Sequence, residues 1–298
     1  MKTKAKSTSL LFLTAIIWGF AFVAQRVGAE FVGAFTFNGI RFLLGSLSLI
    51  PVILIFEREK FDKSKFIKTL VPSILAGVIL FIASTLQQLG VEWTGSAGKA
   101  GFLTGLYIVL VPIIRFFAGK KTSILTFFGA MFALVGLFFL CMTGDELTFG
   151  KGDVVLIIGA IFWAAHILVV DKYVNDISPL KFSMMQFLVC GFLSIISALC
   201  TETIELSAIK SAGVPILYGG LMSVGVAYTC QILGQKDADP TFASIVFSTE
   251  SVFSAIGGAI ILNEIMSGRG YLGCVLIFIG IVLSQLNLDS LRKLIKKS

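Results

Sequence analysis

Charge is scarce in this chain. Of its 298 residues only 14% are Asp, Glu, Lys or Arg, while 56% are hydrophobic and 12% aromatic; a water-soluble domain carries about a quarter charged residues. Lipid is therefore the solvent this composition suits. Histidine is scarcer still, with His166 the only one. An intramembrane metalloprotease needs an HExxH-like pair of ligands, which one histidine does not supply, so no metal is expected. No GxSxG elbow is present, and no aspartate lies in the same plane to orient His166, since Asp171 falls at a helix end. The Gly-Lys pairs at Gly98, Gly119 and Gly150 lack both the earlier glycine and the following Ser or Thr of a phosphate-cradling loop. These absences set aside an enzyme, direct use of a nucleotide and any cofactor. The five cysteines form no CxxC; Cys141 and Cys200 both fall near one face, where a disulfide is conceivable.

What the chain does have is long apolar runs, which at about 18 to 25 residues each read as bilayer spans. Ten can be drawn: Thr8 to Val27, Gly33 to Phe56, Phe66 to Leu89, Ala97 to Phe117, Ile124 to Met142, Asp153 to Val170, Lys181 to Cys200, Ala212 to Leu233, Thr241 to Asn263 and Tyr271 to Leu288. The first follows Lys2, Lys4 and Lys6 like a signal peptide, but it is long for one and no small-x-small cleavage site follows, so it reads as a retained helix. Basic loops stay on the cytoplasmic side of a membrane. With the N-terminus inside, only Arg26, Lys151, Lys210 and Arg269 fall outside, Arg41 and Lys99 fall within spans, and every other Lys and Arg lies inside. The reading is an all-α integral membrane protein with both termini cytoplasmic. The net charge of +7 is then a topology signal; no basic patch interleaved with aromatics lies outside the spans, so no nucleic-acid partner is expected. The tail "LRKLIKK" is either a stop signal fixing topology or a short helix lying on anionic lipid.

The chain also repeats itself. "AIIW" at Trp18 returns as "AIFW" at Trp163. Phe37, Arg41 and Phe42 match Phe182, Gln186 and Phe187 at the same spacing, and Pro72 and Gly77 match Pro215 and Gly220 closely. Gly129 and Gly136 likewise match Gly273 and Gly280. Residues 1–145 and 146–298 are thus two units of one plan. Five spans is an odd number, so the second unit enters from the opposite side, the inverted-repeat construction of many secondary transporters. At about 1.5 Å per residue, Trp18 and Trp163 lie about 15 Å deep, near the bilayer centre. Symmetry-related tryptophans at that depth are either walls of a central cavity or bundle filler.

Tryptophan midway along the first helix of each unit, "GIRFLLGSL", "WTGSAGKAGFLTGLYIVLVP" and "DPTFASIVFSTESVFSAIGGAIILNE", in that order and spacing, resemble the EamA family of the drug/metabolite transporter superfamily across nearly the whole chain. The resemblance implies secondary transport of small metabolites, often export of amino acids, in the plasma (inner) membrane of a bacterium. It also implies a helix break near Glu250, where the family commonly has Glu-Pro and this chain has Glu250 and Ser251.

Ionisable groups deep in a bilayer are functional candidates by default. Arg41 either holds a substrate carboxylate bidentately or pins a neighbouring helix; Gln186 is its neutral repeat partner. Glu250 aligns with Tyr107 and is open to three roles: proton carrier, acceptor for a substrate ammonium, or counter-ion of Arg41. His166, one turn after Trp163, reads as a proton relay or a structural hydrogen bond. Lys99 either snorkels to headgroups or draws in anions. Ser244, Ser248, Ser251, Ala255 and Gly258 form a small-residue stripe suited to helix packing, as do Gly129, Ala133 and Gly136. Gln88 and Gln231 are repeat-related and placed to gate opposite ends.

The combined expectation is alternating-access transport of a small molecule, an amino acid or relative, bound by Trp18, Arg41, Tyr107, Trp163, Gln186 and Glu250. Glu250 and His166 are the candidates for coupling to protons. A proton-coupled multidrug or organic-cation transporter, and a passive channel, are the rival readings.

Overall fold

A computed structural model describes residues 2–57, 62–95, 97–120, 122–141, 149–261 and 267–286. All regular structure among them is helical. In lipid every backbone N–H and C=O must find a partner within the chain, and a helix does this inside one segment. The first unit comprises α1 (Lys2–Gly28), α2 (Ala34–Phe56), α3 (Lys63–Thr94), α4 (Ala97–Thr104), α5 (Tyr107–Phe117) and α6 (Ile124–Cys141). The second comprises α7 (Lys151–Tyr173), α8 (Pro179–Thr201), a short α9 (Leu206–Ser211), α10 (Gly213–Leu217), a π-helical stretch (Tyr218–Tyr228), α11 (Thr229–Gln235), α12 (Pro240–Phe247), α13 (Glu250–Ile261) and α14 (Gly268–Gln285). Taking α4 with α5, α10 through α11, and α12 with α13 as single spans, eight segments are long and apolar enough to cross a membrane; the stretches Ile124–Leu140 and Gly268–Ser284 are shorter apolar helices.

Packing follows the repeat. α6 lies along α14 and α2 along α8; α3 packs on α7 and α8, while the π stretch packs on α1 and α2. α1 packs on α13 and α7 on α5. Exchanging the two units turns each of these pairs into itself or into another of them, as a pseudo-two-fold axis requires. Glycines permit the closest approach: a Cβ on Gly129 would stand 2.5 Å from the Gly280 carbonyl oxygen, and one on Gly136 2.6 Å from that of Gly273. The glycines matched in sequence therefore face each other across the α6–α14 seam.

Symmetric carboxylates tie the ends of the α2–α8 pair. Glu202, just past α8, accepts from Phe35 N and Thr36 N, both at 2.8 Å, and from Thr36 Oγ1 at 2.6 Å, capping the α2 N-terminus. Glu57, just past α2, accepts from Ser178 Oγ at 2.6 Å and pairs with Lys181 Nζ at 3.5 Å at the start of α8. Side chains that the lysine and arginine distribution assigns to one face meet there, including Arg115 with Asp239 at 2.9 Å. On the opposite rim Lys151 lies over the Trp93 ring at 4.7 Å and Arg269 over Phe138 at 5.0 Å.

Three departures from simple rods matter. The fourth span of each unit is broken, at residues 105–106 and 248–249. Repeat-equivalent positions therefore break, and the second does so without the proline that the family resemblance led us to expect. Hydroxyls take its place: Ser248 Oγ and Thr249 Oγ1 each donate at 2.7 Å to carbonyls three residues back, those of Ile245 and Val246. Thr249 N bonds to Val246 O at 3.0 Å in a tightened turn. The small-residue stripe from Ser244 to Gly258 is accordingly not one helix face, because the register changes at the break. Finally, Tyr218–Tyr228 is wound as a π-helix, whereas the matching part of α3 is regular.

Candidate functional site

The two helix breaks, the middles of α1 and α7, and the end of the π stretch converge on one central cavity. Its lining includes Trp18, Gln25, Arg41, Gln87, Thr104, Tyr107, Trp163, Ser223, Tyr228, Gln231, Phe247 and Glu250. Its volume is about 30 Å³, about the share of one water molecule in the liquid.

Charge sits on opposite units. Arg41, on α2, is 2% exposed. Its guanidinium carbon lies 4.8 Å from the centre of the Phe42 ring and 5.4 Å from that of Phe37, and Nε donates to Asn38 Oδ1 at 2.9 Å. Asn38 in turn donates to the Ser84 carbonyl at 3.1 Å, anchoring the arrangement to α3. Only Nε of the fork is used; the terminal nitrogens make no hydrogen bond among the described residues. Glu250 is the first residue of α13, at the break, and accepts from Tyr107 Oη at 3.0 Å. Tyr107 opens α5 at the other break. No ion pair joins Arg41 to Glu250 among the described residues. A buried cation and a buried carboxylate that do not neutralise each other each leave capacity for a ligand.

Aromatic rings separate the two. Tyr228 is their hub: its ring centre lies 4.7 Å from that of Trp18, 6.3 Å from Trp163 in near-parallel stacking, and 5.6 Å from Phe187. Phe247 completes the wall at 5.4 Å from Trp18. Trp18 Nε1 donates to the Ser223 carbonyl at 3.3 Å.

Of the residues nominated from sequence, Trp18, Arg41, Tyr107, Trp163 and Glu250 line this cavity together. Gln186 and His166 do not. They lie behind the wall, both fully buried, with His166 Nε2 and Gln186 Oε1 at 2.9 Å. The His166 ring meets Trp163 and Tyr228 edge-on, at 6.2 Å from each. Gln88 Nε2 donates to the Gln25 carbonyl at 3.2 Å, while Gln231 bonds to Gln235. The side chain of Lys99 lies outside the described residues, as does that of Cys141; Cys200 is a free thiol, so the conceivable disulfide is absent. Tyr228, Gln25, Gln87 and Thr104 were not picked out from sequence. None has a repeat-related partner of the same type to mark it.

The polar groups form layers above and below the rings. On one side Gln87 Nε2 donates to Gln25 Oε1 at 3.0 Å, bridging α3 and α1. On the other, Gln231 Nε2 donates to Gln235 Oε1 at 2.9 Å, and Gln235 Nε2 to the Ile167 carbonyl of α7 at 3.0 Å. Thr14 Oγ1 adds a bond at 3.0 Å to the Ala227 carbonyl. Side-chain amides and hydroxyls thus join the helices on either side of the rings.

Comparison with known proteins agrees with this architecture. The model of the EamA-like transporter family matches twice, over residues 6–142 and 150–286. An uncharacterized transporter of Archaeoglobus fulgidus is 26% identical over 93% of this chain and 84% of its own length. The uncharacterized inner membrane transporter YedA of Escherichia coli K12 is 22% identical, over 93% and 89%. YoaV of Bacillus subtilis, also an uncharacterized transporter, is 20% identical over 90% and 93%. One crystal structure superposes with a TM-score of 0.80 at 17% identity, covering 96% of this chain and 99% of the other.

Proposed function

Because the chain belongs to the EamA-like transporter family, a membrane-embedded group of carriers of small molecules, we propose that it exports an amino acid or related zwitterion by alternating access. The observation that carries this reading is the single cavity holding an uncompensated guanidinium, Arg41, and an uncompensated carboxylate, Glu250, on opposite units. The Arg41 fork matches a carboxylate bidentately. Glu250, oriented by Tyr107, takes the ammonium, and the rings of Trp18, Trp163 and Tyr228 exclude water and cover the carbon skeleton.

Alternating access is supported by the amide layers on either side of the rings and by the pseudo-two-fold packing. A molecule larger than water enters only when the Gln25–Gln87 layer or the Gln231–Gln235 layer parts, and two related units give those two openings comparable energies. We place ten spans in the membrane with both termini cytoplasmic, so that the rim bearing Arg115 and Lys181 faces inward. Proton coupling, where present, is assigned to Glu250, with His166 acting behind the wall through Gln186. No catalytic step is assigned.

One observation favours a second reading. Trp18, Trp163, Tyr228 and Phe247 around a carboxylate also suit an organic cation held by its charge over ring faces. Arg41 decides between them, since a cation gains nothing from a guanidinium.

The test is efflux from proteoliposomes loaded with mixed amino acids and organic cations, followed by mass spectrometry with and without a pH gradient. Selective efflux of amino acids, lost in Arg41→Gln, supports the zwitterion reading. Efflux of cations only, unaffected by Arg41→Gln, overturns it. Acceleration by the gradient assigns proton coupling, and indifference to it assigns facilitated transport.

A further inference from the structure

Three buried polar atoms on the cavity lining have no hydrogen-bond partner among the described residues: Thr104 Oγ1, Trp163 Nε1 and Gln231 Oε1. Buried polar groups are nearly always satisfied, so each calls for an explanation. Thr104 can rotate its hydroxyl and Trp163 can only donate. Gln231 is the informative one, because its polarity is dictated by its neighbours.

The chain of reasoning begins at a backbone carbonyl. Ile167 O can only accept, and the Gln235 amide reaches it at 3.0 Å, so the Gln235 NH2 faces α7. Gln235 Oε1 is then turned toward Gln231 and accepts from its Nε2 at 2.9 Å. Flipping either amide would set oxygen against oxygen or nitrogen against nitrogen. Gln231 therefore presents Oε1 as a free acceptor, on a residue 1% exposed, one helical turn beyond Tyr228 on the same face. Its repeat partner Gln88 also has a free Oε1, but Gln88 is not on the lining. Symmetry thus explains the fold of the pair and leaves the acceptor in the cavity unexplained.

We propose that Gln231 is a specificity-determining contact whose Oε1 accepts from an N–H or O–H of the transported molecule. The substrate is then a polar amino compound bearing a hydroxyl, amide or amine donor beyond the groups taken by Arg41 and Glu250. The identity of those two groups rests on the zwitterion reading; the need for a donor does not. A site built to meet a donor rejects the same shape without one far more strongly than an apolar pocket rejects a missing methylene.

The experiment compares ligand pairs of equal shape that differ by one donor group: threonine with valine, glutamine with 5-oxonorleucine, and ethanolamine with propylamine. Each is titrated against the full-length purified protein by thermal stabilisation, for wild type, Gln231→Leu and Gln88→Leu. In wild type the donor-bearing member of at least one pair should bind roughly 100-fold tighter. Gln231→Leu should cut that preference to about tenfold or less, and Gln88→Leu should keep it. Equal binding within every pair in wild type, or a preference that survives Gln231→Leu, overturns the proposal. Should Gln231→Leu not fold, the wild-type pairs still decide. A preference seen only for the amine pair keeps Gln231 and overturns the zwitterion reading. Amino acids bound without preference keep that reading and overturn Gln231, and binding of none of the six overturns both.

Discussion

In the first unit the second helix brings a guanidinium to the cavity, Arg41, stacked on Phe42 and anchored through Asn38. At the same position the second unit has Gln186, which turns away from the cavity to His166. The helix breaks differ in the same way, one presenting the phenol of Tyr107 and the other the carboxylate of Glu250. The third spans differ too, since α3 is regular where its counterpart is wound as a π-helix ending at Tyr228, a distortion that recurs at functional sites. Elsewhere the units agree closely, in the α6–α14 glycine seam, the positions of the breaks and the glutamates that clamp α2 to α8. On the proposed function, a symmetric scaffold serves two openings of similar energy, and an asymmetric cavity suits a molecule with different groups at its two ends.

Five substitutions break or sharpen this comparison. The largest effect belongs to the shared scaffold. Gly136→Leu drives a side chain into the Gly273 backbone, and overpacking of that kind costs about 3 kcal/mol or more. Thermal unfolding in detergent should show little or no folded protein, and a near-normal melting point would mean that the seam is not tightly packed. Next, Arg41→Gln gives the first unit the residue of the second. We expect roughly 10- to 150-fold weaker transport of carboxylate-bearing substrates with the fold retained, since a charge-assisted hydrogen bond is worth about 1.5–3 kcal/mol; wild-type efflux would remove Arg41 from the site. Third, Tyr107→Phe removes the hydroxyl that orients Glu250, and binding of ammonium-bearing ligands should weaken about tenfold, the equivalent of ~1.4 kcal/mol. Unchanged affinity there would make the tyrosine simple packing. The smallest effect compares the two clamps. Glu202 accepts three bonds, two from backbone N–H groups of α2, whereas Glu57 accepts from one hydroxyl and pairs with a partly solvated lysine. Glu202→Gln should lower the melting temperature by a few degrees and Glu57→Gln by less, each cap being worth about 1 kcal/mol. The reverse order would show that the lysine pair dominates.

Much of the scaffold was legible because membrane spans are written as composition, and composition survives in one dimension. The repeat was legible from Trp18 and Trp163 and from the paired glycines, since two units that must pack alike need like residues at like spacing. Four of the five nominated residues that line the cavity stood out because a charge or a tryptophan at bilayer depth is costly, and Tyr107 was reached through its alignment with Glu250. Gln186 was chosen by symmetry alone, and its side chain points elsewhere, because helix rotation and the available partner, His166, decide where an amide goes. Tyr228 was not picked out since an aromatic in an apolar run resembles filler. Only the added width of the π turn and the rings around it give it a role.

The chain by itself thus determined the solvent, the number of apolar runs and the duplicated plan, because these depend on how much hydrophobic length is present and how often it recurs. The tertiary structure alone decided that Arg41 and Glu250 share a cavity without pairing, that the ninth span breaks without proline, and that Gln231 turns an acceptor inward. Those outcomes depend on which donors and acceptors meet once the helices are packed, and hydrogen-bond polarity is settled by neighbours distant in sequence.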